Sequence, residues 1–244
     1  MGVLDAERRE SLVNRSMKRT YVVAMTGASG AVYTVRLLEV LLATGADVYF
    51  SISPAAATVL EQELDLTIDL DNFSPADLRL DAGTNLKDPK LQAVRSQAGI
   101  SSELSSVLAV ASGEPGRLVY CHYRDQAAPI ASGSFLTDGM VICPCSGGTL
   151  SAIVHGTSAN LIHRAAEVHL KERRRLVLVP RETPLSTVYI ENMQRAATAG
   201  AVILPASPGF YHGVKTIGDL VDFVVARICD QLGIVNSLIQ RWGR

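Results

Sequence analysis

A chain of 244 residues, 48% hydrophobic and 19% charged, can bury a large core, and its formal net charge of -1 excludes the basic face that nucleic-acid binding demands. No apolar run reaches the roughly 18 residues of a membrane span and the start lacks the basic-then-apolar layout of a secretory leader, so a cytoplasmic protein without a membrane partner is expected. Cys121, Cys143, Cys145 and Cys229 show neither CxxC nor zinc spacing, which points to buried reduced thiols and to no metal.

Residues 1–19 mix charges of both signs and read as a frayed or helical extension; the Met1-Gly2 start is no acylation signal, because Ala6 stands where Ser or Thr is needed. Residues 21–25 (YVVAM) are an apolar strand and 31–44 have helical apolar spacing, so Thr26-Gly27-Ala28-Ser29-Gly30 joins a strand to a helix. Two glycines allow a sharp bend and a close approach, and Ser29 is the expected helix cap, with free amides forming an anion cradle. Gly45 closes the helix, 47–53 form a second strand before Pro54, and 55–64 a second helix, a βαβα order that implies parallel strands.

From 65 to 116 the pattern turns polar around Pro75, Pro89 and Pro115, with one helical candidate at 91–111; this reads as an insertion in a single domain spanning 20–244. Residues 118–121 form a short strand, and the small-residue loop 127–134 leaves room for a flat ligand. The continuous apolar run 139–143 is a strand buried on both faces, leading into a second glycine-rich turn, Pro144 to Thr149, and a helix at 150–155. Asn160 caps a helix ending in the charged cluster 171–175. The strand 176–179 stops at Pro180-Arg181-Glu182-Thr183-Pro184, and charged residues at such a strand end mark the ligand side of an open α/β sheet. A helix at 186–199, a last strand at 201–205, the loop 208–212, an amphipathic helix at 216–232 and a tail with Trp242 complete the chain. Arg227 interrupts the apolar face of that helix beside Val225 and Ile228, so a buried guanidinium facing an anion is expected there.

Polar loops at several strand ends describe a doubly wound sheet with one crevice. Neither glycine-rich turn is a GxGxxG fingerprint, and Ser53 stands where a dinucleotide site needs an acid to hold the ribose, so FMN is the expected cofactor.

The stretches MTGASGAVY (25–33), Ser132 to Ser134, MVICPCSGGTLSAI (140–153), LKERRRLVLVPRETP (170–184), AVILPASPGFYH (201–212) and the closing RWG together resemble the flavin prenyltransferases of the UbiX type. That resemblance implies a flavodoxin-like Rossmann fold, an α/β three-layer sandwich with a parallel sheet. It also implies transfer of a dimethylallyl group from dimethylallyl phosphate to N5 and C6 of reduced FMN without metal, giving the cofactor of UbiD-type decarboxylases. Homo-oligomers, a dodecamer by resemblance, are expected. Position by position, the resemblance gives FMN to Gly27, Ala28, Ser29, Ser53, Ser132, Ser146, Gly147, Gly148, Thr149 and Arg181. It gives the prenyl phosphate to Arg164, Lys171, Tyr211 and Arg227, a set of cations and a hydroxyl suited to a leaving dianion. Glu182 becomes the acid/base group, assisted by Glu63 and Ser29, and Trp242 offers a π-face to the allylic cation.

As ordinary residues, Lys171 and Arg164 are helix charges, Glu63 is a solvent-facing helix end, Tyr211 a core aromatic and Trp242 a pin for the tail. Three departures from the family pattern stand out: Thr34 replaces a usual Gly, Pro54 a frequent Lys, and 65–116 is long. Thr157-Ser158-Ala159-Asn160 echoes the related FMN-dependent cysteine decarboxylases, which gives a second enzymatic reading; a non-catalytic flavin carrier is a third.

Overall fold

The structure is a computed structural model that describes residues 18–80, 88–98 and 116–243. Strands β1 (Thr20–Met25), β2 (Asp47–Ile52), β3 (Leu118–Tyr120), β4 (Gly139–Cys145), β5 (Leu176–Pro180) and β6 (Val202–Ile203) form one six-stranded sheet in the order β3-β2-β1-β4-β5-β6, every pair parallel. The helices are α1 (Ala31–Ala43), α2 (Pro54–Leu64), α3 (Pro89–Gln97), α4 (Gly147–Val154), α5 (Leu161–Lys171), α6 (Thr187–Thr198) and α7 (Ile217–Gln231).

The period of two along a strand divides the core into two layers. Tyr21, Val23 and Met25 of β1 face a cluster with Leu37 and Leu41 of α1, Leu60 of α2 and Val224, Val225 and Ile228 of α7. Val22 and Ala24 face the opposite cluster, with Leu150 of α4, Leu161 and Ala165 of α5 and Ala196 of α6. The result is the α/β three-layer sandwich the sequence implies. Each large side chain withdrawn this way contributes about 1.5–3 kcal/mol, which is why the central strands read as unbroken apolar runs.

The strand order reverses between β1 and β4, so the chain departs from these neighbours toward opposite edges and leaves a crevice beyond their carboxyl ends. Several boundaries differ from the sequence expectation. Ser146 caps α4 by accepting from the Thr149 amide, so the helix begins at Gly147 rather than 150. The edge strand β6 shortens to two residues before Pro205, although Leu204 still donates to Leu178 and Ala206 to Pro180.

The described part of 65–116 belongs to the core. Leu66, Leu78, Leu91 and Val94 are buried in the α1/α7 layer. Helix α3 begins at Pro89 behind its Asp88 cap and its last described turn ends at Gln97; the expected continuation over 99–111 lies outside the described residues, as does the extension 1–17. Charge pins α3 in place: Arg36 of α1 meets Asp222 at 2.7 Å, Asp88 at 2.8 Å and Glu39 at 2.9 Å, while Lys90 meets Asp222 at 2.7 Å and Asp219 at 3.0 Å.

All four cysteines are buried and unbonded, and burial pushes the Cys121 thiol up to about 11 and those of Cys145 and Cys229 up to about 12. Among the described residues no helix is long and apolar enough to cross a membrane, and no cluster of three or more His, Cys, Asp or Glu could hold a metal ion.

Candidate active site

The first turn leaves β1 and is compressed against α2. A Cβ on Gly27 would lie 2.5 Å from the Ala55 methyl, and Gly30, at φ 119°, is the N-cap of α1 with no side-chain cap. Ser29 is therefore not the helix cap expected from the sequence, because a glycine in the left-handed region turns the chain one residue later. The anion in this cradle is the protein's own. Glu63, near the end of α2, accepts from the Gly30 amide at 2.9 and 3.1 Å and from Ala31 at 2.8 Å, and the Ser29 hydroxyl donates to it as well. Burial alone would raise the Glu63 carboxyl, but the bonds from Ser29, Gly30 and Ala31 and the nearby Arg181 charge hold it below the usual carboxylate value. Glu63 is thus an N-terminal partner of α1 rather than an idle surface charge.

The second turn leaves β4. A Cβ on Gly147 would lie 2.8 Å from the Tyr189 ring, whereas one on Gly148 would meet nothing within 4 Å, so the backbone of α4's first turn faces open space at Gly148. Ser146 accepts from the Thr149 amide at 3.3 Å and donates to the Thr149 hydroxyl at 3.1 Å. Beneath it, Tyr189 of α6 donates to the Cys145 carbonyl at 3.4 Å; burial pushes this phenol up to about 12, with the Cys145 thiol and the Glu182 carboxylate adding to the shift. Thr34 donates to the Cys143 carbonyl from α1 and so ties that helix to β4.

Ser53 caps α2, accepting from Ala56 at 3.2 Å, while its own amide donates to Met25 at 3.0 Å. The N-termini of α1, α2 and α4 consequently converge on the carboxyl ends of β1, β2 and β4, where their dipoles favour negative charge. Glu63 answers the first, which leaves the second and third for a ligand. Arg181 and Glu182 follow β5 on the same rim, both exposed, and the Glu182 carboxylate accepts from the amide of its neighbour Thr183, at 3.2 Å.

The loop after β6 reaches this rim through the bond from Ala206 to Pro180, at 3.0 Å. It carries Tyr211, 58% exposed, whose ring meets Phe223 at 5.7 Å and Trp242 at 5.6 Å, both edge to face. Arg227 lies one helical turn beyond Phe223 on the same face of α7. It is not the buried guanidinium expected: its side chain is 47% exposed and pairs with Asp230 at 2.7 Å, because the helical advance turns it outward between buried Ala226 and Ile228.

Ser132, Arg164 and Lys171 form a separate group on α5 and the loop beside it. Arg164 donates to the Ala131 carbonyl and pairs with Glu167, each at 3.1 Å; Lys171 pairs with Glu172 next to Gly133; Ser132 and Ser134 share a hydrogen bond of 2.9 Å. Among the described residues no hydrogen bond or ion pair joins this group to the two turns. Tyr189 went unmarked in the sequence, and Thr26 was read there only as the first residue of the glycine turn, because a tyrosine in an amphipathic helix and a threonine beside a glycine carry no separate signal of the bonds they make.

The sequence pattern of the Flavoprotein family matches residues 9–229. Flavin prenyltransferase UbiX from Pseudomonas aeruginosa is 46% identical over 221 residues, 91% of this chain and 92% of the relative. The protein of the same name from Halalkalibacterium halodurans is 42% identical, covering 93% of this chain and 94% of its own. Among solved structures, AnUbiX (PadA1) in complex with FMN and dimethylallyl pyrophosphate superposes with TM-score 0.71 at 35% identity, over 93% of this chain and 98% of that one. A dodecameric FMN-dependent UbiX-like decarboxylase from Escherichia coli O157:H7 superposes with TM-score 0.69 at 35% identity, over 92% and 99%.

Proposed function

The chain belongs to the Flavoprotein family and to its UbiX-type flavin prenyltransferases, and from that membership we propose that it transfers a dimethylallyl group from dimethylallyl phosphate to N5 and C6 of reduced FMN. The product is the prenylated flavin cofactor that UbiD-type decarboxylases consume. The observation that carries the reading is the open backbone at Gly148 between two capped helix N-termini, at the switch point of a parallel sheet.

The residues present fit the flavin. Ser53 and Ser146 each accept a backbone bond with the hydroxyl oxygen, Gly148 leaves open space against the backbone for a bound group, and Arg181 adds a positive charge. Because Glu63 fills the α1 N-terminus, the FMN phosphate falls to the α2 and α4 side, and Gly27, Ala28 and Ser29 are left to line the flavin. Reduced FMN supplies the nucleophilic N5 and C6. Tyr211 and Arg227 hold the phosphate of the prenyl donor and stabilise it as it leaves, with Arg227 drawn from Asp230 toward the stronger dianion. Trp242, 83% exposed, offers ring surface to the allylic cation, a contact worth roughly 1–2 kcal/mol once water is excluded. Glu182 would take the proton released as N5 bonds the prenyl carbon and pass it toward the phosphate that departs with the bonding electron pair; closure at C6 would then take up one proton at the prenyl alkene and release one from the ring, with Glu63, hydrogen-bonded by Ser29, as a further proton route.

Self-assembly, to a dodecamer by analogy with the Escherichia coli relative, is supported by Leu185, Val188 and Ile190, exposed large apolar residues near Glu182. In such an assembly Ser132, Arg164 and Lys171 serve a site completed by a neighbouring subunit. The cysteine decarboxylase reading has less behind it: Asn160, the residue that carried it, has a structural role as the cap of α5, its side-chain carbonyl accepting from the His163 amide at 2.9 Å.

The test is incubation of the purified chain with reduced FMN and dimethylallyl phosphate, without added metal, and mass spectrometry of the flavin. Gain of one C5 unit is expected, a parallel arm with the diphosphate identifies the donor, and an unmodified flavin in both arms rejects the assignment.

A further inference from the structure

The ladder between β1 and β4 ends at Ala24 opposite Ile142, and the register of β4 against β5 shifts between Ile142 and Cys145. Past that point the Pro144 carbonyl and the Ser146 amide would lose their sheet partners at the mouth of the crevice. Thr26 supplies both. Its amide and hydroxyl donate to the Pro144 carbonyl at 3.2 and 2.9 Å, and the same hydroxyl oxygen accepts from the Ser146 amide at 2.8 Å. The residue is 2% exposed, so water cannot stand in for the hydroxyl, and the Thr26 carbonyl goes on to accept from Ala28 at 2.8 Å within the first turn.

One buried residue therefore ties together the two turns that flank the crevice, and its hydroxyl is what holds the Ser146 amide. We infer that Thr26 is a positioning residue of the flavin site, acting through the Ser146–Thr149 turn to aim the N-terminus of α4, while its own side chain stays behind the binding surface. The inference rests on the reading of the crevice as the FMN site. Tyr189 braces the same turn from below, through Cys145 and the face of Gly147, but it leaves the Ser146 amide untouched, so Thr26 has no substitute.

Valine matches threonine in shape and lacks the hydroxyl, whereas serine keeps it. In the full-length protein Thr26→Val is expected to weaken FMN binding at least tenfold, read by quenching of FMN fluorescence, with Thr26→Ser within about threefold of wild type. The KM for dimethylallyl phosphate is expected to stay within twofold in both, because Tyr211 and Arg227 stand on other elements. Should Thr26→Val fail to fold, Thr26→Ala removes the same hydroxyl without a buried methyl and is read the same way. Wild-type affinity in the hydroxyl-free variant, an equal loss in Thr26→Ser, or a parallel rise in the donor KM overturns the inference. Failure of the wild-type chain itself to bind FMN overturns instead the reading of the crevice.

Discussion

The turn after β1 and the turn after β4 follow the same local design and end in opposite states. Each leaves the carboxyl end of a central parallel strand, carries glycine and serine, and opens a helix. At the first, a carboxylate from α2 occupies the helix N-terminus and the glycines are demanded by the chain's own backbone and by the Ala55 methyl. At the second, among the described residues no carboxylate occupies the helix N-terminus; Ser146 caps it, and Gly148 faces open space. An anion site is thus defined by donors the fold leaves unanswered, and pattern alone does not say which donors those are.

The largest effect should come from a residue that belongs to neither turn. Glu182→Gln keeps the shape of the rim and removes the proposed base, so transfer should slow by about a hundredfold with FMN affinity unchanged; fast turnover would move the proton to another group. Next, glycine-to-alanine changes should split the two turns. Gly148→Ala is expected to cost about tenfold in FMN affinity with an unaltered melting temperature, because its methyl enters ligand space. Gly27→Ala should instead cost about 1–3 kcal/mol of stability by overpacking Ala55, and loss of stability at Gly148 would erase the contrast. A smaller effect is expected from Arg227→Gln, which should raise the KM for the prenyl donor about fivefold and leave FMN affinity alone; an equal change in both would remove Arg227 from the donor site.

The smallest effect tests the filled cradle. The Glu63 carboxyl is held below its unfolded value, so its contribution is fully present above pH about 4.5 and is lost as pH falls through the depressed folded value. Glu63→Gln should therefore cost about 0.5–1 kcal/mol in chemical denaturation at pH 7, and the gap to wild type should close in acid. A gap that holds its size down to pH 2 would mean the carboxylate charge is not what α1 uses.

Much of this was legible along the chain. Apolar runs such as 21–25 and 176–179, a cap such as Asn160, and the order of strands and helices specify a parallel sheet with covered faces, because these signals depend on neighbours within a few residues. The two turns and Arg181 carried enough pattern to mark the rim. Residues whose meaning depends on distant partners were misread. Arg227 lies in an apolar stretch yet points outward, since its orientation is set by how α7 rotates onto the sheet. The helix at Pro89–Gln97, in the stretch read as an insertion, packs Leu91 and Val94 into the α1/α7 layer and is held by the Lys90 ion pairs, contacts that its polar surroundings in the sequence did not announce.

By itself the sequence determined the sheet, the placing of glycine at two strand ends and the residue types available for anion and proton chemistry, because period, cap and turn are local properties of a chain. Only the tertiary structure decided which helix N-terminus was already filled, which of the cations were paired, and that a buried threonine joins the two turns. Those outcomes depend on atoms brought within 3 Å across 33 residues between Glu63 and Gly30, or 120 between Thr26 and Ser146, and no local pattern records a contact of that span.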